Sequence, residues 1–317
     1  MHVILKTNHM QTKITTLEGV RYTLAKTILN EEAQLLLQQL NAVMSAKHYA
    51  SRSITNYMRE MRLLFSYYND IDPRSIKTED IISYIQYIKS KYQVGREKCH
   101  QVAQSCSFFY KHVLPSPFIV PSSFYPRKEY KLPTVLSEED IKRLIDSIDH
   151  EKHRMMVSMF YGTGLRMNEL RLIEPQHIDS KSFQIKVVNG KGGRERYTIL
   201  PKTLLEPLRG YYRKYRPNKY LFEGQKKGYP MHERSIQFFI HEAIKRLGWN
   251  GRDISAHTLR HCFATHMLDH GTDIHTIKTL LGHSKLETTM VYLHLSKTKR
   301  LLLVSPLDTL RSDVQYS

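Results

Sequence analysis

The sequence predicts a mainly α protein with a small antiparallel β-sheet, an α+β fold in two domains. Three observations carry this. Apolar residues recur with helical period over most of the chain from Glu31 onward, the stretch from Ser182 to Pro201 switches to period two, and a proline-rich segment separates two periodic regions. At 317 residues, the chain is long enough for each region to bury a core of its own.

Residues 1–30 show weak periodicity and are read as an N-terminal arm. A helix begins at Glu31, with Leu36, Leu40 and Val43 on one face, and a second apolar stripe runs through Ile54, Tyr57, Met61, Leu64, Phe65 and Tyr68. Asp70-Ile71-Asp72-Pro73 breaks the chain as a turn. Thr78 is expected to cap a third helix through Ile81, Ile85 and Ile88, and a fourth spans roughly Arg96 to Val113. These helices define a compact domain over residues 31–114. Its basic positions Lys47, Arg52, Arg59, Arg62 and Lys98 suit a DNA backbone, although solvated helix faces carry the same residue types.

Pro115, Pro117, Pro121, Pro126 and Pro133, with interspersed serines, support no helix and little strand, so residues 115–133 form a linker. The second domain covers residues 134–299. It opens with Ser137 as a cap ahead of an acidic first turn, Glu138-Glu139-Asp140. A helix from about Glu151 to Tyr161 ends at Gly162-Thr163-Gly164, whose glycines permit a sharp turn before a short helix at Met167 to Leu172. Arg166 stands at that junction. In the period-two stretch, Phe183, Ile185 and Val187 share a face, Tyr197 and Ile199 belong to the returning strand, and Asn189-Gly190-Lys191-Gly192-Gly193 is the turn. Lys191 is therefore at a hairpin tip with Arg194 and Arg196 behind it, which suits a phosphate or groove contact and equally a solvated turn.

Helices are expected at Lys202–Tyr215 and Ser235–Leu247. Ser255 then starts one that buries Leu259, Phe263 and Met267, so His257 and Arg260 project from one edge near an N-terminus that favours an anion. The next helix, from about Asp273, stops at Gly282 and leaves His283 just beyond it. Ser284-Lys285-Leu286-Glu287 reads as a capping box for the helix bearing Tyr292. Residues 300–317 are a polar tail interrupted by Leu301-Leu302-Leu303-Val304.

Forty-eight Lys and Arg against thirty Asp and Glu leave a formal charge of +18. Residues 1–132 hold 18 basic and 10 acidic side chains, leaving 30 and 20 for the remainder, so both halves are basic. Such a surplus implies a polyanionic partner, because each phosphate neutralised releases condensed counterions. Cys99, Cys106 and Cys262 show no CxxC spacing, which argues against a disulfide framework or a zinc site and fits a reducing compartment. The first residues lack the apolar core of a secretory signal and no run approaches membrane-spanning length, so a cytoplasmic, nucleoid-associated protein is expected.

Taken singly, His257, His283 and Tyr292 are compatible with packing. Together with the upstream residues they form a pattern. Gly162-Thr163-Gly164-Leu165-Arg166-Met167-Asn168-Glu169-Leu170, Gly190-Lys191-Gly192, His257-Thr258-Leu259-Arg260-His261, Leu280-Leu281-Gly282-His283 and Tyr292 closely resemble the motifs of the tyrosine recombinase family, also called the phage integrase family. The resemblance covers the second domain from about Leu136 to Lys297. The N-terminal helices match the family's core-binding domain in size and position, less specifically.

The resemblance implies an N-terminal helical core-binding domain (SAM-like) and a C-terminal catalytic domain that form a C-shaped clamp around DNA. Tyr292 would attack a scissile phosphate to give a 3′-phosphotyrosine and a free 5′-hydroxyl, with Arg166 and Arg260 holding the non-bridging oxygens. His257 would be proton acceptor or relay for Tyr292, His283 a phosphate contact, Lys191 the acid for the leaving 5′-oxygen and Glu169 an orienting group. Arg52, Arg59, Arg194 and Arg196 are the expected DNA contacts, while His261 and Cys262 read as packing. The implied reaction needs no nucleotide or metal cofactor. Its partner is double-stranded DNA with short inverted sites, bound by a homotetramer or paired dimers, and the C-terminal tail would dock on a neighbouring protomer.

Other readings use the same residues. A type IB topoisomerase would share the nucleophile and both arginines, and a non-catalytic DNA-binding relative would share the fold but lack one of the six catalytic positions, all of which are occupied here. The pairs His257/His261 and His266/His270 have metal-ligand spacing, but no Glu follows the first His as in HExxH and the second pair lacks a third ligand. The same motifs serve integration, inversion and dimer resolution. The short arm and the absence of an integron-type insertion favour a simple recombinase.

Overall fold

The computed structural model describes residues 29–114, 133–188 and 195–296. The chain divides into two compact units between Tyr130 and Lys131. The expected hairpin tip with Lys191 and Arg194, the linker and the C-terminal tail lie outside the described residues, except for Pro133 at the linker's end.

The first unit is helical: α1 (Glu31–Ala46), α2 (Ser51–Tyr67), α3 (Thr78–Tyr92) and α4 (Arg96–His112). Asn30 caps α1, its Oδ1 accepting the Ala33 amide at 2.8 Å, with Glu31 and Glu32 in the first turn where the helix dipole favours anions. The expected stripes converge on one core that includes Leu36, Leu40, Met61, Leu64, Ile85 and Phe109. At α3 the helix starts one residue earlier than capping by Thr78 would require. Thr78 is its first residue, and Asp80 accepts the Lys77 amide at 2.8 Å. Arg52 and Arg59 are exposed on α2. Arg59 is paired with the buried Glu60, which also takes Lys98 at 2.5 Å.

The second unit contains α5 (Glu138–Asp146), α6 (Glu151–Thr163), α7 (Met167–Arg171), β1 (Ile178–Asp179), β2 (Gln184–Val187), β3 (Arg196–Ile199), α8 (Lys202–Tyr215), α9 (Glu233–Arg246), α10 (Ala256–Asp269), α11 (Ile274–Leu281) and α12 (Glu287–Leu295). Helix α6 is central and packs against α8, α9 and α10. Its Met156, Met159 and Phe160 join Leu259 and Cys262 of α10 in the main core. A smaller cluster of Phe263, Leu268, Ile277, Leu281 and Tyr292 unites α10, α11 and α12.

The sheet runs β1-β2-β3, all antiparallel, with Ile185 opposite Thr198. Ile185 and Val187, expected on one face, both point into the core, and on the returning strand Thr198 is buried while Tyr197 is 53% exposed. Strand β3 buries Thr198, which donates to the Thr163 carbonyl at 2.7 Å on the α6 side, and on its other face Ile199 packs on the smaller cluster while Tyr197 stays exposed. The capping box expected before α12 does not form. Leu286, already helical at φ −66° and ψ −34°, occupies the cap position without a side-chain bond. Among the described residues no helix is long and apolar enough to cross a membrane.

Candidate active site

Two helix ends build the site. Helix α6 terminates at Gly164 with φ +64°, where a Cβ would stand 2.5 Å from Phe263 Cδ1, so both conformation and close packing require glycine. Helix α11 terminates at Gly282 with φ +63°, where a Cβ would lie 2.6 Å from Arg196 Cδ. The last carbonyls of a helix have no intrahelical donor and carry the negative end of its dipole. Three arginines satisfy them. Arg260 donates from Nη1 to Gly164 O and from Nη2 to Leu281 O, both at 2.6 Å. Arg196 donates from Nε to Leu280 O at 2.9 Å, and Arg166 from Nη2 to Gly282 O at 3.3 Å.

One carboxylate ties the arginines together. Glu169, on α7, accepts the Arg166 backbone amide and its Nη1, each at 2.8 Å, and a two-pronged contact from Arg196 at 2.7 and 2.8 Å. Arg260 lies 3.8 Å away. Burial alone would raise the Glu169 pKa, but the hydrogen bonds and charge of Arg196, then of Arg166, bring it down to about 2. Three guanidiniums around one carboxylate leave surplus positive charge, which an incoming phosphate would neutralise.

Arg196 was expected on DNA. Its side chain is 9% exposed and its guanidinium is committed to Glu169 and Leu280, so it braces the site and is not a surface contact. Arg260 is buried; burial and then the Arg166 charge lower its pKa to about 9, which keeps it cationic at neutral pH. Arg166 remains partly open, with a side-chain exposure of 23%.

His283 lies 3.1 Å through Nε2 from Arg260 Nη2 and 3.0 Å through Nδ1 from Thr289 Oγ1. A guanidinium only donates, so Nε2 is the acceptor and Nδ1 carries the proton. Burial, then the charges of Arg260, Arg166 and Arg196, lower its pKa to about 4, and it is neutral at physiological pH. In this state Nε2 has no proton to offer a phosphate. A contact there requires Arg260 to leave Nε2 and Nε2 to take up a proton, with Nδ1 then accepting from the Thr289 hydroxyl.

Tyr292 is 1% exposed in the smaller cluster, its ring nearly parallel to that of His283 at a 6.5 Å centroid separation. Its hydroxyl meets Nδ1 of His261 at 3.0 Å. Here the structure departs from the sequence reading, which gave the proton-accepting role to His257 and read His261 as packing. His257 is the second residue of α10 and is exposed. Desolvation by the surrounding protein, then the charges of Arg260 and Arg166, hold its pKa below the usual value. The signal for His261 was available in the spacing: it lies four residues after His257, on the same helix face. Cys262, by contrast, is buried and accepts the Leu136 amide at 3.2 Å. His266 bonds Tyr161, and His270 pairs with Glu138.

Comparison with known proteins places these residues in context. Residues 134–299 match the phage integrase family, and residues 36–119 match the phage integrase N-terminal SAM-like domain. A Sinorhizobium fredii protein named as an integrase/recombinase is 30% identical over 87% of this chain and 89% of its own length. The tyrosine recombinase XerC of Staphylococcus saprophyticus is 29% identical over 79% of this chain and 88% of its own. Among solved structures, XerH site-specific recombinase bound to a palindromic difH substrate aligns with a TM-score of 0.65 and 17% identity over 86% of this chain and 96% of that one. The Tn1549 transposon integrase in complex with circular intermediate DNA aligns with a TM-score of 0.65 and 16% identity, covering 89% and 99%. At these identities the two structures share the fold.

Proposed function

This chain belongs to the phage integrase family, and from that premise we propose how its second unit cuts and rejoins DNA. The protein is a tyrosine-type site-specific recombinase. The observation that carries the assignment of roles is the convergence of Arg166 and Arg260 on two helix ends beside Tyr292, with Glu169 too weak a counter-charge for the three guanidiniums it meets.

A scissile phosphate binds at Arg166, the partly open arginine of the site, with the buried Arg260 directly behind it, and their charge stabilises the pentavalent transition state. The Tyr292 hydroxyl oxygen attacks phosphorus, the bond from phosphorus to the 5′-oxygen breaks, and that oxygen takes a proton from Lys191. The product is a 3′-phosphotyrosine. Because the phosphoester bond is conserved in the adduct, a 5′-hydroxyl from another strand can reverse the attack and complete an exchange. His257, exposed beside the arginines, passes protons to solvent, and His283 donates to the phosphate from Nε2 in the tautomer that carries its proton there, with Nδ1 accepting from Thr289. Arg52 and Arg59 on α2 and Arg194 behind Lys191 contact the DNA backbone.

The palindromic substrate of XerH supports short inverted recognition sites for this chain, bound by paired dimers or a tetramer. Trapping covalent protein–DNA adducts in cells expressing the protein, followed by sequencing of the attached DNA, tests the reading. Adducts at a defined pair of inverted sites are expected, and Tyr292→Phe should abolish them while retaining DNA binding. Adducts that persist in Tyr292→Phe would remove Tyr292 as the nucleophile, and adducts scattered without sequence preference would favour a topoisomerase.

A further inference from the structure

We propose that His261 is a catalytic residue of this recombinase, the group that takes the proton from Tyr292 as it attacks. The inference rests on Tyr292 being the nucleophile. Its basis is geometric: the Tyr292 hydroxyl is enclosed between α10 and α12, and Nδ1 of His261 stands 3.0 Å from it. That is hydrogen-bonding distance for direct transfer, with no water required between the two groups.

The environment restricts the alternatives. The titratable and charged groups around the pair are His257 and Arg260 on α10, Arg166 ahead of α7 and His283 after α11. The two arginines only donate, and His283 has its nitrogens committed to Arg260 and Thr289. His257 has no hydrogen bond among the described residues and lies one turn nearer the exposed helix start. His261 is therefore the acceptor in contact with the phenol, and His257 on the same face is the next station towards solvent.

The proton balance is complete. Tyr292 Oη donates its hydrogen to unprotonated Nδ1 of His261 while Oη bonds to phosphorus; the 5′-oxygen leaves with a proton from Lys191; His261, now cationic, is neutralised through His257. Burial, then His257 and Arg260, lower the His261 pKa to about 4, so the ring is neutral in the DNA-free protein; the tautomer with its proton on Nε2 leaves Nδ1 free to accept, as a weak base. A bound phosphate offsets the Arg260 charge and strengthens that base only when substrate is present.

The test uses the intact chain and a nicked duplex carrying the sequence recovered from in-cell adducts, with single-turnover adduct formation as the readout. His261→Gln is expected to bind the duplex normally and to form adduct about 100-fold more slowly at neutral pH, within the usual range for loss of a general base. The deficit should shrink as pH rises, and replacing Tyr292 by a fluorinated tyrosine, whose phenol ionises more easily, should restore the variant to within about tenfold. A base-free site gains from a more acidic phenol, whereas a misplaced phenol does not. Wild-type rates in His261→Gln, or a deficit indifferent to both pH and fluorination, would overturn the assignment. Adduct formation by Tyr292→Phe would instead defeat the underlying assignment of the nucleophile.

Discussion

Glu169 shows how much one side chain decides here. It is the shared counter-ion of Arg166 and Arg196 and lies within reach of Arg260, so the geometry of the two arginines proposed to bind phosphate passes through it. Its pKa in the folded protein, about 2, is below the ordinary carboxylate value of 4.5. A depressed carboxylate contributes stability that is present above the unfolded pKa and is lost as pH falls through the folded one. The window is therefore from about pH 4.5 down to about pH 2. The chain's single tryptophan, Trp249, is buried in the second unit, so its fluorescence reports that unit alone. Wild type should be more stable than Glu169→Gln at pH 5, and the difference should narrow as pH falls through that window. A pH-independent difference would show that the carboxylate's charge is not what binds the arginines. The sequence named Glu169, Arg166 and Arg260, yet misread Arg196 because its partner lies 27 residues earlier in the chain. Distance along the chain hides such a pair. The spacing put His261 on the face of His257, but a histidine beside a buried arginine reads as packing until the fold brings α12 against α10.

At the scale of elements, helix starts and stops were largely legible, because caps and glycines act within a few residues. Ser137 caps as its chemistry demands, and Gly164 and Gly282 end helices in the left-handed conformation. The phase of β3 was not legible. Alternation identifies a buried face only when the other face is wet, and here Ile199 on the second face packs on the smaller cluster while Tyr197 beside it is exposed. The same two glycines carry the site, since each helix they end presents carbonyls to an arginine. Gly164→Ala would put a Cβ into Phe263 at a residue whose φ is +64°. The expected cost is roughly 2–5 kcal/mol, combining left-handed strain with overpacking. The loss should appear in the Trp249 unfolding transition, with adduct formation falling further than stability because Gly164 O anchors Arg260. Unchanged stability would mean that the loop after α6 can relax without cost.

At the scale of the whole molecule, each unit has apolar clusters of its own among the described residues. One cluster lies within residues 29–110, and the other two lie within residues 136–292. Each unit therefore holds the packing it needs to fold alone, and both carry basic surplus in the sequence. A chain of net charge +18 that meets about six to ten phosphates should lose roughly 10³–10⁵ in DNA affinity between about 50 and 200 mM salt. If the two units grip one duplex together, their covalent link turns the second contact into an intramolecular event. Expressed separately as residues 1–130 and 131–317, each half should fold, bind duplex DNA with a shallower salt dependence, and bind about 10²–10⁴-fold more weakly than the intact chain. Mixing the halves at equal concentration should not restore the affinity, because the gain comes from tethering and not from a new contact. Circular dichroism on each half and DNA titrations at several salt concentrations would decide the matter. A half that bound as tightly as the whole chain would show that a single unit carries the affinity, with the other serving the chemistry alone.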